Sequence, residues 1–166
     1  MLSNLQLHDL AKYYEVPLAG IYLRDQLPAK GPSPGLSIVN LDDSKPDFPY
    51  GTHWTALWCD GSESIYFDSF GCLPCPEVQK WSKRKSKGGL HYNAWICQSL
   101  NTECCGWYCL AFGLFISRED AGEPLVTCVN RFVNLFENNT SRNESRLFQY
   151  IKSVKPIPHG FQTKSK

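Results

Sequence analysis

The sequence predicts an α+β fold in which a central, mostly antiparallel sheet is flanked by helices. Three observations support this prediction: helical periodicity at both ends of the chain, short strand patterns between turn residues in the middle, and a nearly all-apolar stretch at 105–116 that indicates a buried helix. The chain has 166 residues, 42% of them apolar, which suits one domain with a real core. We assign residues 1–154 to that domain and 155–166 to a loosely ordered tail.

Local signals set the order of the elements. Ser3, with Gln6 three residues later, forms a capping-box pattern that predicts the start of the first helix. A Pro- and Gly-rich segment at 28–35 separates the first two predicted strands, and Pro124 predicts the start of a late helix. The predicted helices span 4–14, 77–81, 105–116, 124–136 and 144–154, and the predicted strands or extended segments span 18–23, 36–41, 53–59, 64–68 and 92–97.

Two of these strands form a predicted hairpin whose register places two polar side chains together. Asp60-Gly61 is a strong signal for a two-residue type I′ turn. With those residues as the turn, Trp54 faces Phe67 on an apolar face, and His53 lies opposite Asp68 on the other face. Directly opposed residues have Cβ atoms about 4.5–5.5 Å apart, which permits an imidazole–carboxylate hydrogen bond.

The hairpin and the segment 98–107 together contain the groups that a thiol hydrolase needs. Cys105 begins the buried helix, where unpaired N–H groups and the helix dipole favour a thiolate. His53 would accept the thiol proton, and Asp68 would fix the imidazole tautomer. Gln98 would donate an amide N–H to an oxyanion, with the main-chain N–H of Cys105 as second donor. Gly106 leaves room for a substrate backbone. We therefore predict a cysteine protease.

Each of these residues also has a structural interpretation. A lone histidine on a strand is more often structural than catalytic, Asp68 could be a turn residue that ends a strand, and Gln98 could cap a strand. Their combination in one sequence favours the catalytic interpretation. Cys104 is the alternative nucleophile, because it also lies at the helix start, but the following glycine and the seven-residue spacing from Gln98 favour Cys105.

A second cysteine motif, Cys72-Leu-Pro-Cys75, could bind zinc or cycle between thiol and disulfide. A zinc site needs another pair of ligands, and the remaining cysteines and histidines show no matching spacing. We therefore predict no metal site and interpret the motif as a loop on the substrate side.

The segment 80–87 is locally basic, and we call it the basic segment; its cationic side chains are Lys80, Lys83, Arg84, Lys85 and Lys87. It is either a solvated loop, a nuclear import signal or a DNA-docking strip. The formal net charge of +1 gives no global attraction to nucleic acid, so any affinity for DNA depends on this segment.

Composition also narrows the expected location. No stretch approaches the roughly 20 apolar residues of a membrane span, and residues 1–20 lack the basic start and apolar run of a signal peptide. We therefore expect an intracellular monomer with no membrane partner, which is not secreted and whose eight cysteines are mostly reduced.

The motifs resemble those of a known family. The order of His53-Trp54, then 67–71 (Phe-Asp-Ser-Phe-Gly), then Gln98 with Cys105-Gly106 seven residues later is similar to adenain, the adenovirus maturation protease. It is more similar still to the proteases of Polinton/Maverick elements and adintovirus-like viruses. The same order of catalytic residues occurs in the more distant SUMO-specific proteases. The similarity is densest over 51–115.

This resemblance implies a circularly reordered papain-like fold with Cys105 as nucleophile, His53 as base, Asp68 as orienting residue and Gln98 as oxyanion residue. It also implies that Trp54 walls a narrow groove that admits glycine. Family members cleave viral capsid and core precursors after small, glycine-containing sequences, in the host nucleus or cytoplasm and in the virion.

The chemistry implied by the resemblance requires no cofactor, although DNA and a disulfide-linked viral peptide activate adenain. This chain departs from adenain in two respects. It has Asp68 where adenain often has Glu, and it shows no convincing match for the cysteine that links the activating peptide. DNA and an activating peptide therefore remain candidate activators by resemblance alone.

Two alternative functions remain open. The first is a protease of ubiquitin-like modifiers, which would use the same residues on a Gly-Gly tail. The second is a non-catalytic capsid or nucleic-acid-binding protein with a vestigial site, and it predicts the loss of a catalytic position. None of the four catalytic positions is lost in this sequence.

Overall fold

The computed structural model describes residues 1–44, 53–118 and 123–161. These residues form an α+β fold, as predicted, with helices beside a five-stranded sheet. The helices are α1 (Asn4–Tyr13), α2 (Pro76–Ser82), α3 (Cys105–Ile116), α4 (Leu125–Val133) and α5 (Asn143–Val154), and the strands are β1 (Leu18–Leu23), β2 (Gly35–Asn40), β3 (Trp54–Cys59), β4 (Ser64–Phe67) and β5 (Leu90–Tyr92). Short 3₁₀ helices lie at Arg24–Gln26 and Thr140–Arg142.

The sheet is mixed rather than mostly antiparallel, which corrects the prediction. Its strand order is β1-β2-β3-β4-β5. The two inner pairs, β2–β3 and β3–β4, are antiparallel, whereas the outer pairs, β1–β2 and β4–β5, are parallel. A parallel pair needs a crossover connection instead of a tight hairpin. The segment 24–34 provides the first crossover, and the segment with α2 provides the second.

Helices cover both faces of the sheet. On one face, alternate strand residues pack against α1, α3, α4 and α5 in the main core; they include Leu36, Ile38, Ala56, Ile65 and Phe67. On the other face, Val39, Leu57 and Tyr66 pack against α2 in a smaller cluster. Helix α3 lies at the centre of the main core, and every one of its residues except Phe115 is buried, which explains its nearly all-apolar sequence.

The β3–β4 hairpin has the predicted faces but not the predicted register. Ala56 pairs with Phe67, two residues further along β4 than predicted, because the connection has four residues instead of two. The Asp60 side chain builds this longer connection: its Oδ1 accepts hydrogen bonds from two main-chain N–H groups later in the connection, each at 2.7 Å. Since strand side chains alternate with a period of two, a two-residue shift keeps each side chain on its predicted face.

Hydrogen bonds cap the start of α1 and hold the described part of the predicted tail. The predicted capping box of α1 is present: Ser3 Oγ accepts a hydrogen bond from the Gln6 N–H at 3.2 Å, and Gln6 Oε1 accepts one from the Ser3 N–H at 2.9 Å. Residues 155–161, which belong to the predicted loose tail, contact α1 and its end, where the Tyr13 hydroxyl donates to the carbonyl of Pro156. The last five residues of that predicted tail, 162–166, lie outside the described residues.

We predict that Phe132→Ala lowers the free energy of unfolding by about 3–5 kcal/mol. The Phe132 ring is fully buried and its centroid lies 5.3 Å from that of Phe67 and 5.6 Å from that of Phe112, so truncation leaves a cavity between α4 and the sheet. Val126→Ala on the exposed side of α4 is the control and changes stability by less than about 0.5 kcal/mol. Urea denaturation measures both values. Equal effects of the two substitutions would contradict this packing.

Candidate active site

His53 and Asp68 form a hydrogen-bonded pair at one end of the β3–β4 hairpin. His53 immediately precedes β3, and Asp68 immediately follows β4. His53 Nε2 donates to Asp68 Oδ1 at 2.9 Å. Because of the two-residue shift in register, the side chains meet diagonally across the strands instead of directly opposite each other. The predicted contact is therefore present in a register that was not predicted.

Asp68 is fully buried, and hydrogen bonds compensate for the burial of its carboxylate. Besides the His53 imidazole, Oδ1 accepts the main-chain N–H of Phe70 at 2.7 Å. The Phe70 ring packs against the imidazole, with ring centroids 4.9 Å apart. The carboxylate and the phenyl ring together restrict the orientation of His53.

Asn93, which directly follows β5, clamps the main chain of Asp68. Its Oδ1 accepts the Asp68 N–H at 2.8 Å, while its Nδ2 donates to the Asp68 carbonyl at 2.8 Å and to the Trp95 carbonyl at 3.0 Å. The side chain is buried, so these bonds are shielded from water. Asn93 therefore fixes the position of the residue that orients His53.

Cys105, at the start of α3, lies near enough to His53 to affect the charge of its imidazole. Because Nε2 is bonded to Asp68, the other ring nitrogen, Nδ1, is left for the thiol. Nδ1 is buried and makes no hydrogen bond within the described part of the chain; catalytic contacts are often loose before substrate binds. Burial of the imidazole opposes its protonation, but the bond to Asp68 and the nearby Cys105 outweigh burial and raise the pKa of His53 to about 9. The surroundings of His53 therefore favour its protonated form.

Three other cysteines near the start of α3 are in environments that disfavour ionisation. Burial raises the pKa of Cys104 to about 11 and that of Cys97 to about 12, and it raises the pKa of Cys109 well above its ordinary value. These thiols stay protonated near neutral pH. The raised pKa of Cys104 argues against it as the reactive thiol.

Gln98 is buried and anchored through both ends of its side-chain amide. The Ser69 hydroxyl donates to Gln98 Oε1 at 2.8 Å, and Gln98 Nε2 donates to the carbonyl of Thr102 at 2.7 Å. Thr102 belongs to the loop that leads directly into Cys105. The predicted oxyanion residue is therefore tied both to the turn that carries Asp68 and to the loop before the thiol.

Helix α5 holds this loop from the other side. Glu144 Oε1 accepts the main-chain N–H of Ser99 at 3.1 Å and the hydroxyl of Thr102 at 2.8 Å. Asn143 Nδ2 donates to the carbonyl of Cys97 at 2.9 Å. The loop between Gln98 and Cys105 is thus fixed from both of its sides.

Trp54 and Gly106, the predicted groove residues, lie near the N-terminal segment. Trp54 is largely buried, donates its indole N–H to the carbonyl of Leu2 at 2.9 Å, and lines a cavity of about 650 Å³ that Ile21 also borders. A Cβ added at Gly106 would lie 3.3 Å from side-chain atoms of Leu2 and of Leu7. The side of Gly106 that a Cβ would occupy therefore faces the N-terminal segment and α1, and the role of Gly106 in a substrate groove stays a prediction.

The CxxC motif does not form part of a metal-binding cluster in the described part of the chain. Cys72 is exposed and Cys75 is half-buried at the start of α2, and no disulfide joins these two cysteines. Within residues 1–44, 53–118 and 123–161, no three or more His, Cys, Asp or Glu side chains are grouped to hold a metal ion.

None of the described helices has the length and apolar character needed to span a membrane.

The basic segment is exposed and lies at and beyond the end of α2, on the sheet face that the smaller cluster covers. The side chains of Lys80, Lys83, Arg84, Lys85 and Lys87 are exposed, whereas Ser86 between them is buried. The Arg84 guanidinium donates to the carbonyl of Ala29, so one of the five cations is tied to the crossover between β1 and β2. Nuclear import and DNA docking by this segment remain predictions.

Three positioning residues were missed by sequence reasoning: Ser69, Asn93 and Glu144. Their partners are distant in the sequence, with separations of 29 residues for Ser69–Gln98, 25 for Asn93–Asp68 and 45 for Glu144–Ser99. A weak signal existed for Ser69, which adjoins Asp68. Asn93 and Glu144 carry no local pattern that separates them from ordinary loop and helix residues.

Comparisons of the chain with protein-family models and with curated proteins found no match. The case for a function therefore depends on the geometry of this site and on the resemblance of its motifs.

We predict that Asn93→Ala lowers the pKa of His53 from about 9 toward its ordinary value of 6.5, because Asp68 is held less firmly. NMR titration of ¹⁵N-labelled histidine rings measures this pKa. Asn143→Ala is the matched control, since it also removes a buried Asn with three hydrogen bonds to the main chain. Both variants lose stability, but only Asn93→Ala shifts the pKa of His53. An unchanged pKa in Asn93→Ala would contradict the role of the clamp.

Proposed function

We propose that this protein is a cysteine endopeptidase with Cys105 as nucleophile, His53 as general base and acid, Asp68 as orienting carboxylate and Gln98 as oxyanion donor. One observation carries the proposal: His53 is bonded to a buried carboxylate through one ring nitrogen, and the nearby thiol at the start of α3 helps to raise the pKa of its imidazole. Nucleophilic catalysis uses this arrangement, in which an orienting group holds a base and the base adjoins the nucleophile.

The proposed reaction has two half-reactions. In the first, Cys105 Sγ attacks the scissile carbonyl carbon, and the carbonyl electron pair moves to oxygen, where Gln98 Nε2 and the Cys105 N–H donate hydrogen bonds. The C–N bond then breaks as the His53 imidazolium gives its proton to the leaving amine, which leaves a thioester. In the second, His53 takes a proton from water, the hydroxide attacks the thioester, and Cys105 leaves as a thiolate.

The proposed substrate is an extended polypeptide with small residues, including glycine, at the cleavage site. The preference for small residues comes from the motif resemblance, and the cavity beside Trp54, which reaches Glu103 two residues before Cys105, is the proposed place for the substrate chain. The motif resemblance extends the proposal to the maturation of viral or virus-like capsid and core precursors. By the same resemblance, DNA bound at the basic segment is a proposed activator.

We predict that the purified protein cleaves an internally quenched peptide containing Gly-Gly and that Cys105→Ala lowers kcat on the order of 10⁶-fold, to background. Cys104→Ala is the matched control. Its thiol is adjacent but kept protonated by burial, so this variant keeps kcat within about threefold of the wild-type value. Mass spectrometry of the products identifies the cleaved bond.

Three outcomes of this experiment would contradict the assignment. Equal loss in the two variants would mean that the nucleophile is not Cys105 alone. Labelling by an aldehyde probe built on a ubiquitin-like modifier, without peptide cleavage, would favour the modifier protease. No cleavage with or without added DNA would favour a vestigial site.

A further inference from the structure

Ser69 lies between the two parts of the proposed catalytic machinery. It follows Asp68 directly, and it is 1% exposed. Its hydroxyl donates to Gln98 Oε1 at 2.8 Å, and its carbonyl accepts the main-chain N–H groups of Cys97 at 2.8 Å and Gln98 at 2.9 Å. Ser69 therefore binds both the main chain and the side chain at the Gln98 position.

The side-chain contact decides which way the Gln98 amide faces. A glutamine amide has an accepting oxygen at one end and a donating NH₂ group at the other, and a half-turn exchanges them. The carbonyl of Thr102 can only accept, so it requires Nε2 on its side. The hydroxyl of Ser69 can donate, so it stabilises Oε1 on the opposite side. Nε2 has two N–H groups, and Thr102 uses one of them, which leaves the second for an oxyanion.

We propose that Ser69 is a positioning residue of the oxyanion hole, whose hydroxyl holds the Gln98 amide with Nε2 directed toward the reacting carbonyl. This inference rests on the proposed function. Without the hydroxyl, buried Oε1 loses its hydrogen-bond donor, and a buried polar atom without a hydrogen bond is costly. Rotation of the Gln98 amide toward other partners then becomes more favourable. Rotation would present an oxygen lone pair to the developing negative charge and raise the barrier.

The hydroxyl acts separately from the main-chain bonds of the same residue. Ser69→Ala keeps the carbonyl that accepts the N–H groups of Cys97 and Gln98, so the loop before α3 stays anchored. The bond between His53 and Asp68 does not involve Ser69 either. The substitution therefore affects the oxyanion step and leaves the Cys105–His53 pair in place.

The experiment compares Ser69→Ala, Gln98→Ala and the double variant in two assays. The first is kcat and KM for the Gly-Gly peptide. The second is the rate of Cys105 alkylation by iodoacetamide, a reaction that forms no oxyanion. Ser37→Ala is the matched control, because the Ser37 hydroxyl is equally buried and has no hydrogen-bond partner within the described residues. Ser69→Cys, nearly the same size but a weaker donor, serves as a second variant if Ser69→Ala does not fold.

We expect Ser69→Ala to lower kcat about 10–100-fold with little change in KM, a loss below the roughly 10²–10³-fold cost of removing an oxyanion donor outright. Ser69→Cys falls between Ser69→Ala and wild type. The double variant is no slower than Gln98→Ala, and the alkylation rates of all variants match the wild-type rate. Ser37→Ala keeps wild-type kcat.

The inference is overturned if Ser69→Ala keeps the kcat of Ser37→Ala, or if it slows alkylation as much as hydrolysis. It is also overturned if Ser69→Ala lowers kcat by the same factor in the Gln98→Ala background as in the wild-type protein. These results differ from a failure of the proposed function. If the proposed function fails, the wild-type protein does not cleave the peptide, or Gln98→Ala keeps the wild-type kcat while Cys105→Ala is inactive.

Discussion

The turn at Asp68–Gly71 is the constraint on which the rest of the site depends. Gly71 closes it with a hydrogen bond from its N–H to the Asp68 carbonyl at 2.9 Å, at a φ of 67° that favours glycine. A Cβ at Gly71 would also lie 2.9 Å from the main chain of Trp95. Within this turn Asp68 holds the imidazole, and Ser69 holds the Gln98 side chain. One short segment thus positions both the histidine and the glutamine of the proposed site.

Burial gives the site its chemical selectivity. A fully buried carboxylate is costly unless it is paired, and here it is bonded to an imidazole whose protonated form it stabilises. Burial, with a smaller contribution from nearby carboxylates, raises the pKa values of Cys97, Cys104 and Cys109 and keeps these thiols protonated. The fold therefore places three thiols around the proposed nucleophile where ionisation is disfavoured.

Sequence reasoning predicted what depends on neighbouring residues. The positions of α1, β1 and α3, and the faces of the hairpin strands, follow from periodicity and caps. The hairpin register was missed because the Asp60 side chain stabilises a four-residue connection where Asp-Gly usually indicates a two-residue turn. The long-range supports of Ser69 and Asn93 were missed because they depend on the tertiary arrangement. The packing of Leu2 and Leu7 beside Gly106 was not foreseen for the same reason.

The most direct test of the account is the rate of iodoacetamide labelling at each of the eight cysteines, followed by mass spectrometry across pH 5–9 in wild type and His53→Ala. The account predicts that Cys105 is labelled fastest well below about pH 8 and that His53→Ala weakens this labelling, because the imidazolium stabilises the thiolate. If Cys105 reacts no faster than the other seven thiols, or if His53→Ala leaves its rate unchanged, the proposed Cys–His pair does not exist.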